Sequence, residues 1–273
     1  MRIVPSRFGF VAFVLLAACG ARTVEPDASG RIQLREGLEV LQVPVSELGV
    51  APEFGLLTLV YFAPGQFRLR LLTAEEFGEA RPADHWLEDF GLVAVINASM
   101  YLPNQRSTGL MVDHERSNNP AVNPRFGGFL AFGSSDSTTP AWEFAGDDCE
   151  GFSLDRIRAR HPVVVQNYRL LDCEGAPTGW SDTRAYSSAA VGLDERGWLV
   201  LAHSGAPCRP GDFARWLSMP RFGITDALFV EGGPEASLML RDGSHEYRVI
   251  GSWPGRRSPG FRDVPNVIGV VGL

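Results

Sequence analysis

The sequence predicts a single α+β domain in which short strands outnumber short helices. Three observations predict it. Short apolar runs bounded by Gly, Pro, Asn and Asp recur from residue 38 to residue 271. Helical periodicity is confined to a few brief stretches. No repeat, low-complexity tract or shift in composition marks a second unit. With 273 residues, 45% of them hydrophobic, the chain can bury a substantial core.

The N-terminus reads as an export signal over residues 1–18. Arg2 and Arg7 precede an apolar run over residues 8–18. That run is shorter than the roughly 20 apolar residues a membrane-spanning helix needs. It ends in Leu16-Ala17-Ala18-Cys19, which resembles a bacterial lipobox, where the cysteine is acylated and becomes the new N-terminus. Two lipid signals suffice for stable anchoring. The expectation is a lipid-anchored protein of the cell envelope, on the periplasmic or surface side of the outer membrane. Gly20, rather than Asp, follows Cys19 and gives no signal for inner-membrane retention. Residues 19–32 form the lipidated N-terminus and a polar, breaker-rich tether, and the domain spans residues 33–273.

The formal net charge is −7, and loss of residues 1–18 removes two arginines. Such a chain is a poor nucleic-acid binder, because phosphate binding needs clustered Lys and Arg. Past Cys19, three cysteines remain, in a compartment that permits disulfides. Cys149 and Cys173 are the expected pair, since both sit in polar, turn-rich segments; three unpaired thiols are the alternative. Cys208 lies between Pro207 and Arg209-Pro210, a loop with no catalytic motif.

Strands are expected at residues 38–43, 56–62, 67–71, 92–96, 128–132, 162–166, 188–193, 197–202, 227–230 and 267–271. Helices are expected at residues 74–79, 83–90, 154–159 and 211–217. Asp194-Glu195-Arg196-Gly197 reads as a hairpin turn, and residues 101–127 read as loop.

Three strand ends carry polar residues that a buried strand does not need: Asn97, His203 and Glu231. Ligands commonly sit where strands run out and glycines let a substrate approach backbone. Asn97 alone also suits a turn, and His203 also suits a hydrogen-bonded structural histidine. Glu231 follows four apolar residues and precedes Gly232-Gly233. Desolvation there raises a carboxyl pKa and suits it to acid–base work. No nucleophile elbow, His-Glu-x-x-His or phosphate loop is present, and the five histidines lack metal-ligand spacing, so no metal or cofactor is expected.

Five segments resemble, in order, the bacterial phosphodiester glycosidase family. They are Ile96-Asn97-Ala98-Ser99-Met100-Tyr101 with Ser107-Thr108-Gly109-Leu110, then Val164-Val165-Gln166-Asn167, then Ser188-Ala189-Ala190-Val191-Gly192, then Val230-Glu231-Gly232-Gly233-Pro234-Glu235-Ala236-Ser237, then Pro265-Asn266-Val267-Ile268-Gly269. The resemblance covers roughly residues 55–272 and fits a lipoprotein-like bacterial subgroup. The family includes the enzyme that uncovers mannose 6-phosphate by removing N-acetylglucosamine from a phosphodiester. The resemblance implies mixed or antiparallel β-sheets with flanking helices. The expected catalytic positions are Asn97, His203 and Glu231, all three read from their strand ends, with Asn97 and Glu231 also inside segments of the resemblance. Thr108, Gly109, Gln166, Arg184, Ser188, Gly232, Gly233 and Ser237 are the implied substrate-binding positions. Glu231 stands where the general family has Asp, and Ser99 where it has Gly. Ser187 and Ser188 occupy the place of an arginine, with Arg184 a few residues upstream.

The expected function is a surface-anchored hydrolase of a glycosyl or glycosyl-1-phosphodiester linkage. A two-carboxylate mechanism needs a partner for Glu231, for which Glu235 and Asp182 are the candidates. The alternative is a non-catalytic glycan-binding envelope lipoprotein, with tryptophans and the 101–127 loop as its platform. An envelope structural protein is a third class.

Overall fold

A computed structural model describes residues 26–27, 29–49, 55–114 and 116–273. The export signal and Cys19 lie outside the described residues. Among the described residues no helix is long and apolar enough to cross a membrane.

The strands in chain order are β1 (Ile32–Arg35), β2 (Leu38–Pro44), β3 (Leu56–Phe62), β4 (Phe67–Thr73), β5 (Ala94–Asn97), β6 (Met111–Asp113) and β7 (Arg116–Asn119). They continue as β8 (Gly128–Phe132), β9 (Trp142–Gly146), β10 (Val163–Arg169), β11 (Ser188–Asp194), β12 (Leu199–Ser204) and β13 (Ile224–Gly232). The last are β14 (Ser237–Asp242), β15 (His245–Ile250), β16 (Ser252–Trp253), β17 (Arg256–Arg257) and β18 (Asn266–Gly272). The helices are α1 (Ala74–Phe77), α2 (Ala83–Asp89), α3 (Leu154–Arg160) and α4 (Pro210–Leu217).

Two antiparallel sheets face each other. The larger runs β1-β2-β3-β12-β11-β13-β10, and the smaller runs β15-β14-β5-β18-β4. Alternate residues along each strand explain the layering. Val60, Phe62, Leu199, Leu201 and Val191 of the large sheet meet Ile96, Leu238, Leu240, Ile268 and Val270 of the small one in a shared core. The intervening residues Leu59, Tyr61 and Val200 face outward, against Phe213, Trp216 and Leu217 of α4. On the far side Leu72, Val95, Met239 and Val267 pack against Trp86 and Leu87 of α2. The result is a helix–sheet–sheet–helix stack. Because both faces are covered, β5, β11 and β13 read as continuous apolar runs rather than alternating ones.

Local chemistry fixes the elements. Pro210 opens α4, and its apolar residues at helical spacing give one buried stripe. The Thr73 hydroxyl caps α1 by accepting from Glu76 N, and the Ser153 hydroxyl caps α3 by accepting from Arg156 N. Asp194 Oδ1 accepts from Arg196 N and Trp198 N, and Gly197 takes φ 75°, which closes the β11–β12 hairpin.

At β10 the large sheet forks. Tyr168 and Arg169 pair with Phe229 and Leu228 of β13, but Val163–Val165 pair with β6. Its other edge carries β8, which continues to β9. Beyond Phe229, β13 has therefore lost its β10 neighbour, and the segment after β5 fills the gap.

Several strands lie outside the pattern read in the sequence: β1, β6, β7, β9 and β14 to β17. Residues 101–127 hold β6 and β7, too short to show periodicity. In the hairpin β14–β15, Leu238-Met239-Leu240 lacks β-branched residues. Residues before 33 also join the sheet: Ile32 pairs with Val40, and the Arg31 guanidinium lies 4.2 Å from the Tyr61 ring centroid. Cys149 and Cys173 form a disulfide across a separation of 24 residues, a loop closure that contributes roughly 3 kcal/mol on the chain-entropy model. Cys208 is a buried free thiol, and burial pushes it up to about 12, so it is inert.

Candidate active site at the corner between the sheets

The chain passes from the large sheet to the small one between β13 and β14. Residues 231–236 make that corner, and they are Glu231-Gly232-Gly233-Pro234-Glu235-Ala236. A β-bulge precedes it: Ala190 pairs with Phe229 but Ala189 pairs with Glu231, leaving Val230 extra. Bulges re-aim the side chains beside them, here Glu231. Gly233 adopts φ 75°, which suits glycine, and its N–H donates to Ser187 O at 2.8 Å. The link between β15 and β16 crosses closely. A Cβ on Gly251 would lie 2.0 Å from Gly233 O, so only glycine fits there.

Asn97 clamps the corner from the small sheet. Its Nδ2 donates to Glu235 O at 3.0 Å, and its Oδ1 accepts from Ser237 N at 2.8 Å. Both polar ends of this buried side chain are thus spent on backbone. Ser237 Oγ donates to Glu235 O at 2.9 Å and tightens the same turn.

Glu231 is 9% exposed, and its one described hydrogen bond is from Gly232 N to Oε1 at 2.9 Å. Burial pushes its pKa from the ordinary 4.5 up to about 8, against a small opposing effect of that hydrogen bond and with help from Glu235. The carboxyl is therefore protonated at neutral pH. Burial likewise pushes Tyr101 up to about 12, with the charges of Glu231, Glu235 and Asp263 adding to the effect. Ser188 pairs with Gly232 in the ladder, and its hydroxyl is buried without a partner among the described residues. His203 is fully buried opposite Ala189, one strand further from Glu231. Burial pushes it down to about 4, only partly offset by the backbone of Ala236 and Ser204, so it is neutral.

The structure thus gathers Asn97, Ser188, Glu231, Gly232, Gly233 and Ser237, with His203 behind them. Thr108, Gly109 and Gln166 serve the loop that fills the sheet fork. Gln166 Oε1 accepts from Leu110 N and Asn123 N, and its Nε2 donates to Asn123 O and Phe126 O. A Cβ on Gly109 would lie 2.9 Å from Gln166 O. Thr108 Oγ1 donates to Met100 O at 3.1 Å. Arg184 stays at the surface, bound through Nε and Nη2 to Asp182. The Arg184 guanidinium and the Tyr186 hydroxyl hold Asp182 down to about 2, so its carboxylate is ionised and already engaged by those two side chains. Tyr101 ends the 96–101 segment that carries the family resemblance, but it has no site role in the sequence reading. Trp253, whose ring packs on Gly233, belongs to no recognisable spacing. The Asp148, Cys149 and Cys173 grouping offers disulfide sulfurs rather than thiolates, so it does not suit a metal.

A sequence profile described as phosphodiester glycosidase matches residues 90–271. The chain belongs to the phosphodiester glycosidase family. Two solved structures share the fold. One is a hypothetical protein from Synechocystis, at TM-score 0.58 and 18% identity, covering 88% of this chain and 63% of that one. The other is the catalytic domain of zebrafish N-acetylglucosamine-1-phosphodiester alpha-N-acetylglucosaminidase, auto-inhibited by its pro-peptide. It aligns at TM-score 0.58 and 11% identity, covering 88% of this chain and 85% of that one. This phosphodiester glycosidase family member thus spans less than two thirds of the Synechocystis protein's length. No curated protein matches it directly by sequence. The matched range contains the whole corner, from Asn97 to Ser237.

Two outcomes are expected of variants at this corner. Asn97→Ala leaves Ser237 N buried without a partner and Glu235 O with the Ser237 hydroxyl alone, and costs about 1–3 kcal/mol in urea unfolding; a loss below about 0.5 kcal/mol would show that Asn97 is not the clamp. The second concerns pH. Glu231 ionises at the ordinary 4.5 when unfolded and near about 8 when folded, so its contribution to stability is lost as pH rises between these values. Glu231→Gln removes that loss. The variant therefore gains on the wild type by roughly a few kcal/mol between pH 5 and pH 8. Parallel wild-type and variant stability curves over this range would refute the raised pKa.

Proposed function

We propose that this protein is an envelope-anchored hydrolase of a glycosyl or glycosyl-1-phosphodiester linkage, with Glu231 as its acid. One observation carries the reading: a buried carboxyl, protonated at neutral pH, stands at the glycine-lined corner between the sheets of a phosphodiester glycosidase family member. A neutral carboxyl can donate a proton where an ionised one cannot, and it does not repel an approaching phosphate. Glu231 gives its proton to the leaving oxygen as the bond to the anomeric carbon breaks. Water supplies hydroxide to that carbon, and its remaining proton restores the carboxyl. Gly232 and Gly233 let the substrate lie against backbone.

Each other residue has a part in this reading. Asn97 and Ser237 position the corner rather than touch the substrate. Glu235 is the second carboxyl on the same turn. His203, neutral and buried, supports the site from behind through its packing. The Ser188 hydroxyl is left for a substrate or water hydrogen bond. Arg184, tied to Asp182, contributes at most long-range charge. The lipobox-like Leu16-Ala17-Ala18-Cys19 supports acylation of Cys19 and a working place among envelope glycans.

Activity is read with the full chain on a nitrophenyl glycoside and on a sugar-1-phosphodiester. Turnover should fall as pH rises through about 8, and Glu231→Gln should lower kcat about a hundredfold or more. Unchanged turnover in that variant would remove Glu231 from the chemistry, and glycan binding with no turnover would favour the binding-lipoprotein alternative. Cys19→Ser should move the protein from the membrane to the soluble envelope fraction; an unchanged distribution would exclude lipid on Cys19.

A further inference from the structure

A cavity of about 630 Å³ is lined in part by Trp253, whose ring packs on Gly233 of the Glu231 corner. Its size falls in the range of small-ligand pockets. Its lining contains two arginines, Arg248 and Arg256, and no Asp or Glu, in a chain of net charge −7. The two arginines differ. Arg248 Nη2 lies 2.7 Å from Asp84 Oδ2, and its guanidinium packs over the Phe261 ring. Arg256 is exposed and has no carboxylate within salt-bridge reach among the described residues.

Trp253 links this cavity to the corner. A Cβ on Gly233 would lie 3.0 Å from Trp253 Cζ2, so the indole rests on the glycine beside the acid. Tyr186 braces it edge-on, with ring centroids 5.7 Å apart. Yet Trp253 remains 39% exposed, one of few large apolar side chains to do so. Trp253 and Arg256 are directly paired across the β16–β17 hairpin, and cross-strand partners share a face. An aromatic ring beside an unpaired guanidinium matches a sugar ring that carries an anion. The ring offers a flat apolar face to C–H groups, and the planar fork binds two oxygens of phosphate or carboxylate.

We propose that this cavity is a subsite for an anionic saccharide, with the sugar stacked on Trp253 and its acidic group on Arg256. The subsite extends the proposed glycosidase reading by giving the substrate of the Glu231 corner an acidic sugar next to the cleaved linkage. Gln42 and Thr58, joined at 3.2 Å in the cavity's lining, can hydrogen-bond ring hydroxyls.

The test is a binding titration of the full chain with glucose, glucose 6-phosphate and glucuronic acid, followed by ligand-observed NMR. At least one anionic sugar should bind tenfold or more tightly than glucose, and weaken with added salt. Whichever of phosphate or carboxylate wins names the acidic group. Arg256→Gln should erase most of the preference, and Trp253→Ala should weaken all three sugars. Arg256 is exposed, so its variant should keep the wild-type melting temperature and serves as the control if Trp253→Ala unfolds. Equal binding of the charged and uncharged sugars, or a preference that survives Arg256→Gln, would overturn the proposal. The two readings fail separately. Glu231-dependent turnover without Arg256-dependent binding sinks only the subsite, whereas selective binding without turnover sinks only the hydrolase.

Discussion

The clamp of Asn97 on the corner between the sheets is the contact on which the site depends. Two sheets that share a core must be joined somewhere, and here the four residues 233–236 cross from β13 to β14. Such a turn carries backbone groups that neither sheet ladder satisfies. Asn97 ends the neighbouring strand β5 and offers one donor and one acceptor, which match Glu235 O and Ser237 N. Ser187 O and the close passage of Gly251 hold the other side. With the corner fixed from both sheets, Glu231 is held where the bulge has aimed it.

The chemistry follows from where that corner lies. The fork of β10 removes a strand neighbour from the end of β13, and the loop braced by Gln166 closes over the space. Glu231 is consequently buried with one backbone hydrogen bond and no cation beside it among the described residues. A carboxyl in that setting keeps its proton well above the usual range, and acid catalysis at neutral pH requires this. The same burial keeps His203 uncharged, so the two titratable groups are both neutral near pH 7. In the proposed reading the site works by placement of protons rather than by a charged constellation.

Much of the site was legible in the sequence for a local reason. Glu231 followed by two glycines, directly after four apolar residues, already implies a desolvated carboxyl on a backbone-exposing turn. Asn97 was equally visible as a polar residue ending a buried run, but its role was not. A side chain that clamps a turn 138 residues away carries no local signature. Gln166 and Arg184 show the same limit: one is consumed by loop backbone, and the other is bound by Asp182 two positions before it. Trp253 reaches the corner by packing on Gly233, a contact that no periodicity records.

By itself the sequence determined the strand-rich α+β class, the buried strands, the hairpin at Asp194–Gly197 and the Cys149–Cys173 pairing. Each rests on residue type and short-range pattern, where apolar runs, turn formers and polar cysteine segments act locally. Only the tertiary structure decided which sheet each strand joins. It also decided that the Glu231 turn bridges the two sheets, and that an arginine-lined cavity adjoins it at Trp253. Those outcomes depend on long-range pairing and on which faces are covered, and the free energy of covering a face is shared among residues far apart in the chain.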